Sequence, residues 1–380
     1  MKIRNFQLER YFAKYEFSVE HLLSPSDCET WTVEEILALE EQRSGENGVD
    51  RLKNLRLSYT ESQGSPTLLD AIDGTYGGIF GREGLVVGCP EELIFLFLNG
   101  FLEAGDRVVV ISPAYQSLYE LPRSIGCEVV FLPLCLESGA LGKRWVWDIE
   151  KLESLLRFST KLLIVNFPHN PTGYMPSPEE HARIGELAAQ YGVTVFSDEM
   201  YRGLELDGPP LPAFAELENA VTLCGTSKGL GLPGLRLGWL ASRRRDLIAP
   251  VLSLKDYTTI CNSAPSEFLA ELALHGASSM LSRNRDILRA NVDLASRFFE
   301  RHSDALEWIP PTGGPTAFPR LLRGDVTEMC ARAALEKSLM ILPDRVFDVE
   351  DNRFRVGMGR KNFPKALEVF GEFLEENWKS

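Results

Sequence analysis

The sequence predicts an α/β protein, with a large domain on a mostly parallel, helix-covered sheet and a smaller α+β domain. Three observations predict it. From about residue 84, short runs rich in Val, Ile and Leu alternate with stretches of helical pattern. The short runs are apolar without alternation, which marks strands buried on both faces, as parallel strands under helices are. After residue 243 the texture changes. Helical patterns dominate to about residue 304, and a Pro/Gly-rich corner, "IPPTGGPTAFP", then opens a different unit.

Taken in order, "LVVG" is a strand and "PEELIFLFLNGFLEAG" a buried helix stopped by Gly105. "DRVVVIS" and "CEVVFLPL" are strands, and "DIEKLESLLR" is an amphipathic helix. "KLLIVNFP" is a strand, followed by the helix "SPEEHARIGELAAQYG" with a Ser-Pro start and a Gly stop. "VTVFSDE", "AVTLCG" and "LRLGWLAS" are further strands. In the last unit "TEMCARAALEKS" is a helix, "RFRVGMG" a strand and "PKALEVFGEFLEENW" the final helix. With 380 residues the chain exceeds one ordinary domain. The expected division is a large domain over 49–290 and a small one over 291–380, which the segment 1–48 joins.

Composition narrows the function classes. Hydrophobic residues make up 44% and charged residues 25%, an ordinary globular balance. The formal net charge of -14 argues against nucleic acid or an anionic membrane as partner, since both need basic surface. The seven cysteines are scattered, without a C-x-x-C pair, which points to a reducing, cytoplasmic setting. The opening residues lack the apolar core of a signal peptide, and no apolar run is long enough to span a membrane. No Cys/His cluster suggests a metal.

Four stretches bear on chemistry, and each has a plainer reading. "NFPHNPTG", residues 166–173, is by itself a good turn sequence. In "VFSDEMY", Asp198 ends an apolar strand, where an Asp is usually a helix cap. The carboxyl ends of strands are also where open α/β sheets bind ligands. In "GTSKGLGLPGLRLGWL", Lys228 and Arg236 could be solvated charges, yet the glycines around them allow close approach to a ligand. In "RFRVGMG", Arg355 stands in a strand-like run and needs an anion or a carboxylate, for which Asp351 and Glu350 are candidates.

The order of these stretches is more specific than any one of them. Asn-Pro-Thr-Gly, then Asp-x-x-Tyr, then Ser-Lys with Arg eight residues on, then Arg-x-Gly resembles the class I/II aminotransferase family, the fold type I pyridoxal-phosphate enzymes. "SPAYQSLYE" is similar to the family's ring-stacking segment and "YTESQGSPTLLDAI" to its early Tyr…Gly…Leu region, so the resemblance covers nearly the whole chain.

The resemblance implies roles. Lys228 would hold pyridoxal phosphate as a Schiff base and, once displaced by an incoming amine, act as general base at the substrate's Cα. Asp198 would keep the ring nitrogen protonated, while Tyr201 and Asn170 donate to the ring's O3′ oxygen. Tyr115 would stack on the ring. The phosphate would be held by Arg236, by the Ser227 hydroxyl and by the segment Gly88-Cys89-Pro90, which opens a helix. Arg355, with Asn170, would take the substrate's α-carboxylate as a planar fork. Tyr59 matches the tyrosine that reaches the neighbouring subunit's phosphate, which implies a homodimer with shared sites. The substrates implied are an α-amino acid and a 2-oxo acid.

The sequence also departs from the family pattern. Gly225 stands where the family often has a phosphate-binding serine, and Thr226 is expected to compensate. Pro90 offers no N–H. The N-terminal substrate segment reads "LLSPSDCE" instead of carrying a glycine, leaving Ser26 and Asp27 as candidate contacts. His169 is expected to be a packing residue. Three other kinds of reading compete with aminotransfer. One, a non-enzymatic pyridoxal-phosphate-fold module in a regulator, is disfavoured because 380 residues are already spent on the fold and leave no room for a DNA-binding appendage. Lyases and cyclases of the same fold, such as C–S lyases or capreomycidine synthase, share these motifs. A dinucleotide-binding protein is disfavoured by the lack of a G-x-G-x-x-G after a first strand.

Overall fold

The computed structural model describes residues 2–139, 142–208 and 210–377. Its centre is a seven-stranded sheet in the order Leu85–Gly88, Gly238–Ala241, Ala220–Gly225, Thr194–Asp198, Thr160–Asn166, Arg107–Ser112, Glu128–Pro133. Four neighbouring pairs are parallel, and Gly238–Ala241 runs against both of its neighbours. The sheet is therefore mostly parallel, as the sequence predicts. The one reversal has a local cause. A parallel return needs a crossover of a dozen or more residues, usually helical. The chain between Gly225 and Gly238 holds no α-helix, and these two glycines end up paired.

Helices Pro90–Phe101, Ser117–Ile125, Ile149–Leu156 and Pro178–Tyr191 cover the sheet. Val109, Ile111, Leu163, Val165 and Val195 pack into one cluster, and Val108, Val110, Leu162, Ile164 and Phe196 into another. Alternate residues of each strand thus enter different cores, which is why the strands read as continuous apolar runs. The helix expected to run to Gly105 ends at Phe101, and Gly105 lies beyond it at φ 93°.

The C-terminal unit packs around Phe298, Phe299, Phe354 and Phe370. Its strand Phe354–Gly357 lies between Thr316–Ala317 and Leu342–Pro343. Trp378, where the final helix was expected to end, lies outside the described residues. The N-terminal segment divides its contacts. His21–Leu22 pairs with Leu339–Met340 of the C-terminal unit. Helix Val33–Ser44 sends Ile36 and Leu37 into the cluster that holds Leu269 and Trp239. Residue 290 falls within Ala277–Arg301, one continuous helix that gives Met280 to that cluster and Leu288 and Phe298 to the C-terminal core.

Candidate active site

The strands Thr160–Asn166, Thr194–Asp198 and Ala220–Gly225 end on one side of the sheet, where a cavity of about 380 Å³ opens. Lys228, Asp198, Tyr201 and Asn170 line it, and so do Tyr115, Ser227, Pro90, Arg236 and Arg355. Two residues singled out from the sequence are not on this wall. Cys89 lies behind it, its Sγ accepting from Arg236 Nη2 at 3.3 Å. Tyr59 is 87% exposed on the surface of its own chain.

Lys228 Nζ donates to Ser26 Oγ at 3.0 Å. Burial, with Arg355 and Arg236 nearby, holds the lysine below its ordinary pKa, against the pull of Asp27 and Glu9. Burial raises the pKa of Tyr201, and Arg355 and Ser26 oppose that rise.

Asp198 is buried at the strand end. Its Oδ1 accepts from the backbone N–H of Met200 at 3.1 Å. Burial nevertheless pushes its carboxyl up to about 6. A buried acid with one N–H donor is a ready partner for a cation.

The turn at 166–173 is more than a turn. Asn166 Oδ1 accepts from the Asn170 backbone N–H at 2.8 Å, and Asn170 Oδ1 accepts from Arg355 Nη1 at 3.1 Å. Gly173 sits at φ 69°, and a Cβ there would lie 2.3 Å from the Thr316 carbonyl oxygen, so only glycine lets this turn meet the C-terminal unit. His169 is fully buried, bonded to Thr172 Oγ1 at 2.8 Å, and burial lowers it to about 3, so it is a neutral packing residue.

Arg355 is 1% exposed. Its guanidinium bonds the Ser24 carbonyl and Asn170, and Phe12 and Phe347 lie 5.6 and 5.7 Å from it. Among the described residues it pairs with no carboxylate. Asp351, expected as a rival partner, instead bonds Arg353 at 2.6 Å and Arg320 at 3.3 Å.

The glycine at position 225 has a packing reason. A Cβ there would lie 2.9 Å from Gly238 Cα and 3.1 Å from the Leu237 carbonyl oxygen, so a serine does not fit against this antiparallel strand. Thr226 does not make up the loss: it is fully buried and its hydroxyl donates to Leu237 O at 3.0 Å. Ser227 is the hydroxyl left over. Its Oγ is buried and has no hydrogen-bond partner among the described residues, and the residue lines the cavity. Arg236 beside it adopts the left-handed region at φ 52°, a strained conformation of the kind that collects at functional sites.

Sequence reading missed one whole side of the cavity. Leu8, Glu9 and Phe12 of the helix Gln7–Tyr15, with Glu16 just past it, line the wall, as do Glu91 and Arg360. The signal was present as spacings of 1, 4 and 8 in "QLERYFAKYEF", one helical face.

Fold and site together define a pyridoxal-phosphate enzyme of fold type I. The chain belongs to the aminotransferase class I and II family, whose model matches residues 25–369. It is 29% identical to capreomycidine synthase of Streptomyces vinaceus over 371 residues, 97% of this chain and 93% of that one. A PLP-dependent aminotransferase from Streptococcus suis superposes with a TM-score of 0.90 at 28% identity, covering 100% of both chains. The PLP-dependent cyclase OrfR superposes with a TM-score of 0.89 at 27% identity, covering 99% of this chain and 98% of that one. Pyridoxal phosphate is the cofactor of the family, and the residues present fit it. The Ser227 hydroxyl, unpartnered among the described residues, and Arg236 suit a phosphate, the buried Asp198 suits a ring cation, and Lys228 lines the same cavity.

Proposed function

We propose that the protein is an aminotransferase that moves an amino group between an α-amino acid and a 2-oxo acid, in biosynthetic amino acid metabolism. The observation that carries this reading is the shared cavity of Lys228, Asp198 and Arg355, with Arg355 buried and free of any carboxylate among the described residues. When bound, the cofactor supplies a pyridinium ring that accepts electrons as a bond to the substrate's Cα breaks.

The chain's own residues do the rest. Asp198 would hold the positive charge on the ring nitrogen. Tyr201 would donate to the ring's phenolic oxygen, and Asn170 has its Nδ2 left for the same task, since its Oδ1 accepts from Arg355. Tyr115 would pack against the ring. Arg236, the Ser227 hydroxyl and the N-terminus of helix Pro90–Phe101, preceded by Cys89, would hold the phosphate. Pro90 offers no N–H there, which would leave Ser227 a larger share. Arg355 takes the substrate's α-carboxylate, and Asn170 orients it. Lys228 Nζ, with its pKa lowered by burial, would take the proton from the substrate's Cα and hold it on Nζ for the return step.

The working unit in this reading is a cytoplasmic homodimer in which Tyr59 completes the partner's phosphate site. The domain division at 49–290 and 291–380, with 1–48 counted with the smaller unit, belongs to the same reading. It places Lys228 and Arg355 on opposite walls of a cleft that closes on the substrate and excludes water.

A second reading is a cyclase, supported by the likeness to capreomycidine synthase and OrfR. It uses the same proton abstraction by Lys228 without moving the amino group to an acceptor. One experiment separates the two. The holoenzyme is incubated with a panel of amino acids, with and without a 2-oxo acid acceptor, and the products are identified by mass spectrometry. Aminotransfer gives one new oxo acid and one new amino acid in equal amounts, and only with the acceptor. Consumption of the amino acid without an acceptor, with its nitrogen retained in a ring, contradicts aminotransfer.

A further inference from the structure

The N-terminal helix turns acid toward the cavity. Glu9 and Glu16 share a face with Leu8 and Phe12, and Phe12 lies against the Arg355 guanidinium at 5.6 Å. The helix therefore stands beside the arginine assigned to the substrate's carboxylate. Glu9 acts electrostatically on both Lys228 and Arg355, and Glu16 feels both Lys228 and Arg360. Both residues thus line the cavity within electrostatic reach of the groups assigned to the substrate, Glu9 exposed and Glu16 half-buried.

The cations of the cavity are already committed. Arg360 is held by Asp27 through two bonds of 2.8 Å. Arg236, Lys228 and Arg355 are assigned to phosphate, proton transfer and carboxylate. Glu9 accepts a single hydrogen bond, from the Tyr115 hydroxyl at 2.9 Å. Among the described residues neither Glu9 nor Glu16 forms an ion pair. Burial raises the Glu16 carboxyl from its ordinary value, and Arg360 and Lys228 offset that rise only in part. That the cavity holds a ligand stands on separate ground, the buried, unpartnered Ser227 hydroxyl and the family's cofactor.

We propose that the amino-acid substrate carries a second positive charge, an amino or guanidino group at the end of its side chain, and that Glu9 and Glu16 receive it. This rests on reading the cavity as an amino-acid site. An acidic side chain would meet two carboxylates with no arginine to spare. An apolar side chain would strip water from those carboxylates and return nothing. A cation repays the desolvation with charge-assisted bonds.

The first test is binding without reaction. Calorimetry on the holoenzyme compares 5-guanidinopentanoate, which is arginine without its α-amino group, with heptanoate, whose chain end carries no charge. The guanidino acid binds at least about tenfold tighter, and the double substitution Glu9→Gln and Glu16→Gln removes that preference. The second test measures kcat/KM for arginine, lysine and ornithine against citrulline, norleucine and glutamate. The cationic set is favoured at least about tenfold, and the ratio of arginine to citrulline collapses in the double variant. Arginine against lysine and ornithine tells guanidino from amino.

Equal binding of the two acids, or turnover of citrulline or glutamate as fast as arginine, overturns the proposal and leaves aminotransfer standing. Consumption of arginine with no amino acid formed from any acceptor does the reverse: aminotransfer falls, and the cationic site stands.

Discussion

Arg355 donates through Nη1 to Asn170 Oδ1 at 3.1 Å, joining two residues that are 185 positions apart. One lies on a strand of the C-terminal unit and the other in the turn after a strand of the main sheet. The bond fixes the guanidinium and sets the asparagine amide at once. Arg355→Lys keeps the charge and loses the planar fork. Since a hydrogen bond to a charged group is worth roughly 1.5–3 kcal/mol, kcat/KM for amino acids falls by about tenfold to a hundredfold or more. A simple amine without a carboxylate, which reacts slowly in the wild type, loses much less. Equal losses for both substrates, or none, refute the carboxylate role.

Asp198 governs how cofactor removal depends on pH. In the cofactor-free protein burial raises its carboxyl to about 6, from an ordinary value near 3.8. A raised carboxyl contributes stability that is whole below its ordinary value and is lost as pH rises through about 6. Cofactor-free wild type therefore loses up to roughly 3 kcal/mol relative to cofactor-free Asp198→Asn between pH 4 and 7. Glu91, raised to about 7 by burial and, to a smaller extent, by Glu9 and Asp198, titrates in both proteins, so the burial part of its contribution cancels and only the Asp198 part stays in the difference. Thermal melts of the two proteins across this range check the slope. Parallel curves contradict it.

In the holoenzyme the same substitution separates binding from chemistry. Asp198→Asn retains the cofactor, because Lys228 and the phosphate groups remain, but an amide does not hold the ring charge. Turnover drops by about a hundredfold or more, in line with the loss of a buried charge partner. Cofactor content by absorbance and turnover by product formation are measured together. Turnover near wild type would make Asp198 a structural cap.

Tyr59 supplies the test of the shared site. It is exposed together with Leu57, Tyr257 and Ile260, and Thr60 Oγ1 donates to the Asn262 carbonyl at 3.2 Å, which ties the two segments together. Large exposed apolar side chains gathered in this way mark an interaction surface. Mixing Tyr59→Phe with Lys228→Ala forms hybrid dimers in which one site has both native residues. Activity per intact Lys228 then rises above that of Tyr59→Phe alone. Activity that merely scales with the amount of Tyr59→Phe, or a fully active monomer by sedimentation, contradicts the shared site.

Much of this molecule was legible in the sequence where local chemistry decides structure. Six of the seven strands of the main sheet were readable because both faces are buried, the edge strand Glu128–Pro133 being half-exposed. The motif residues could be placed on strand ends, while the hairpin Cys135–Gly139 and Gly142–Val146 was not read. What sequence left open depends on distant partners. The place of Thr226 is set by the Leu237 carbonyl across the sheet, and the space at Gly225 by Gly238. The wall formed by Glu9, Phe12 and Glu16 was missed because a short amphipathic helix shows which residues share a face, but not what that face covers. The partner of Arg355 was equally hidden, since Asp351, nearby in the chain, is taken by two other arginines, Arg353 and Arg320.

The most direct test of the account is the site of cofactor attachment. The protein is purified with pyridoxal phosphate, reduced with borohydride, digested, and its peptides are read by mass spectrometry. The account predicts one phosphopyridoxyl group, on Lys228, the lysine that now donates to Ser26 at 3.0 Å. An adduct on another lysine, or none after reconstitution, would contradict it.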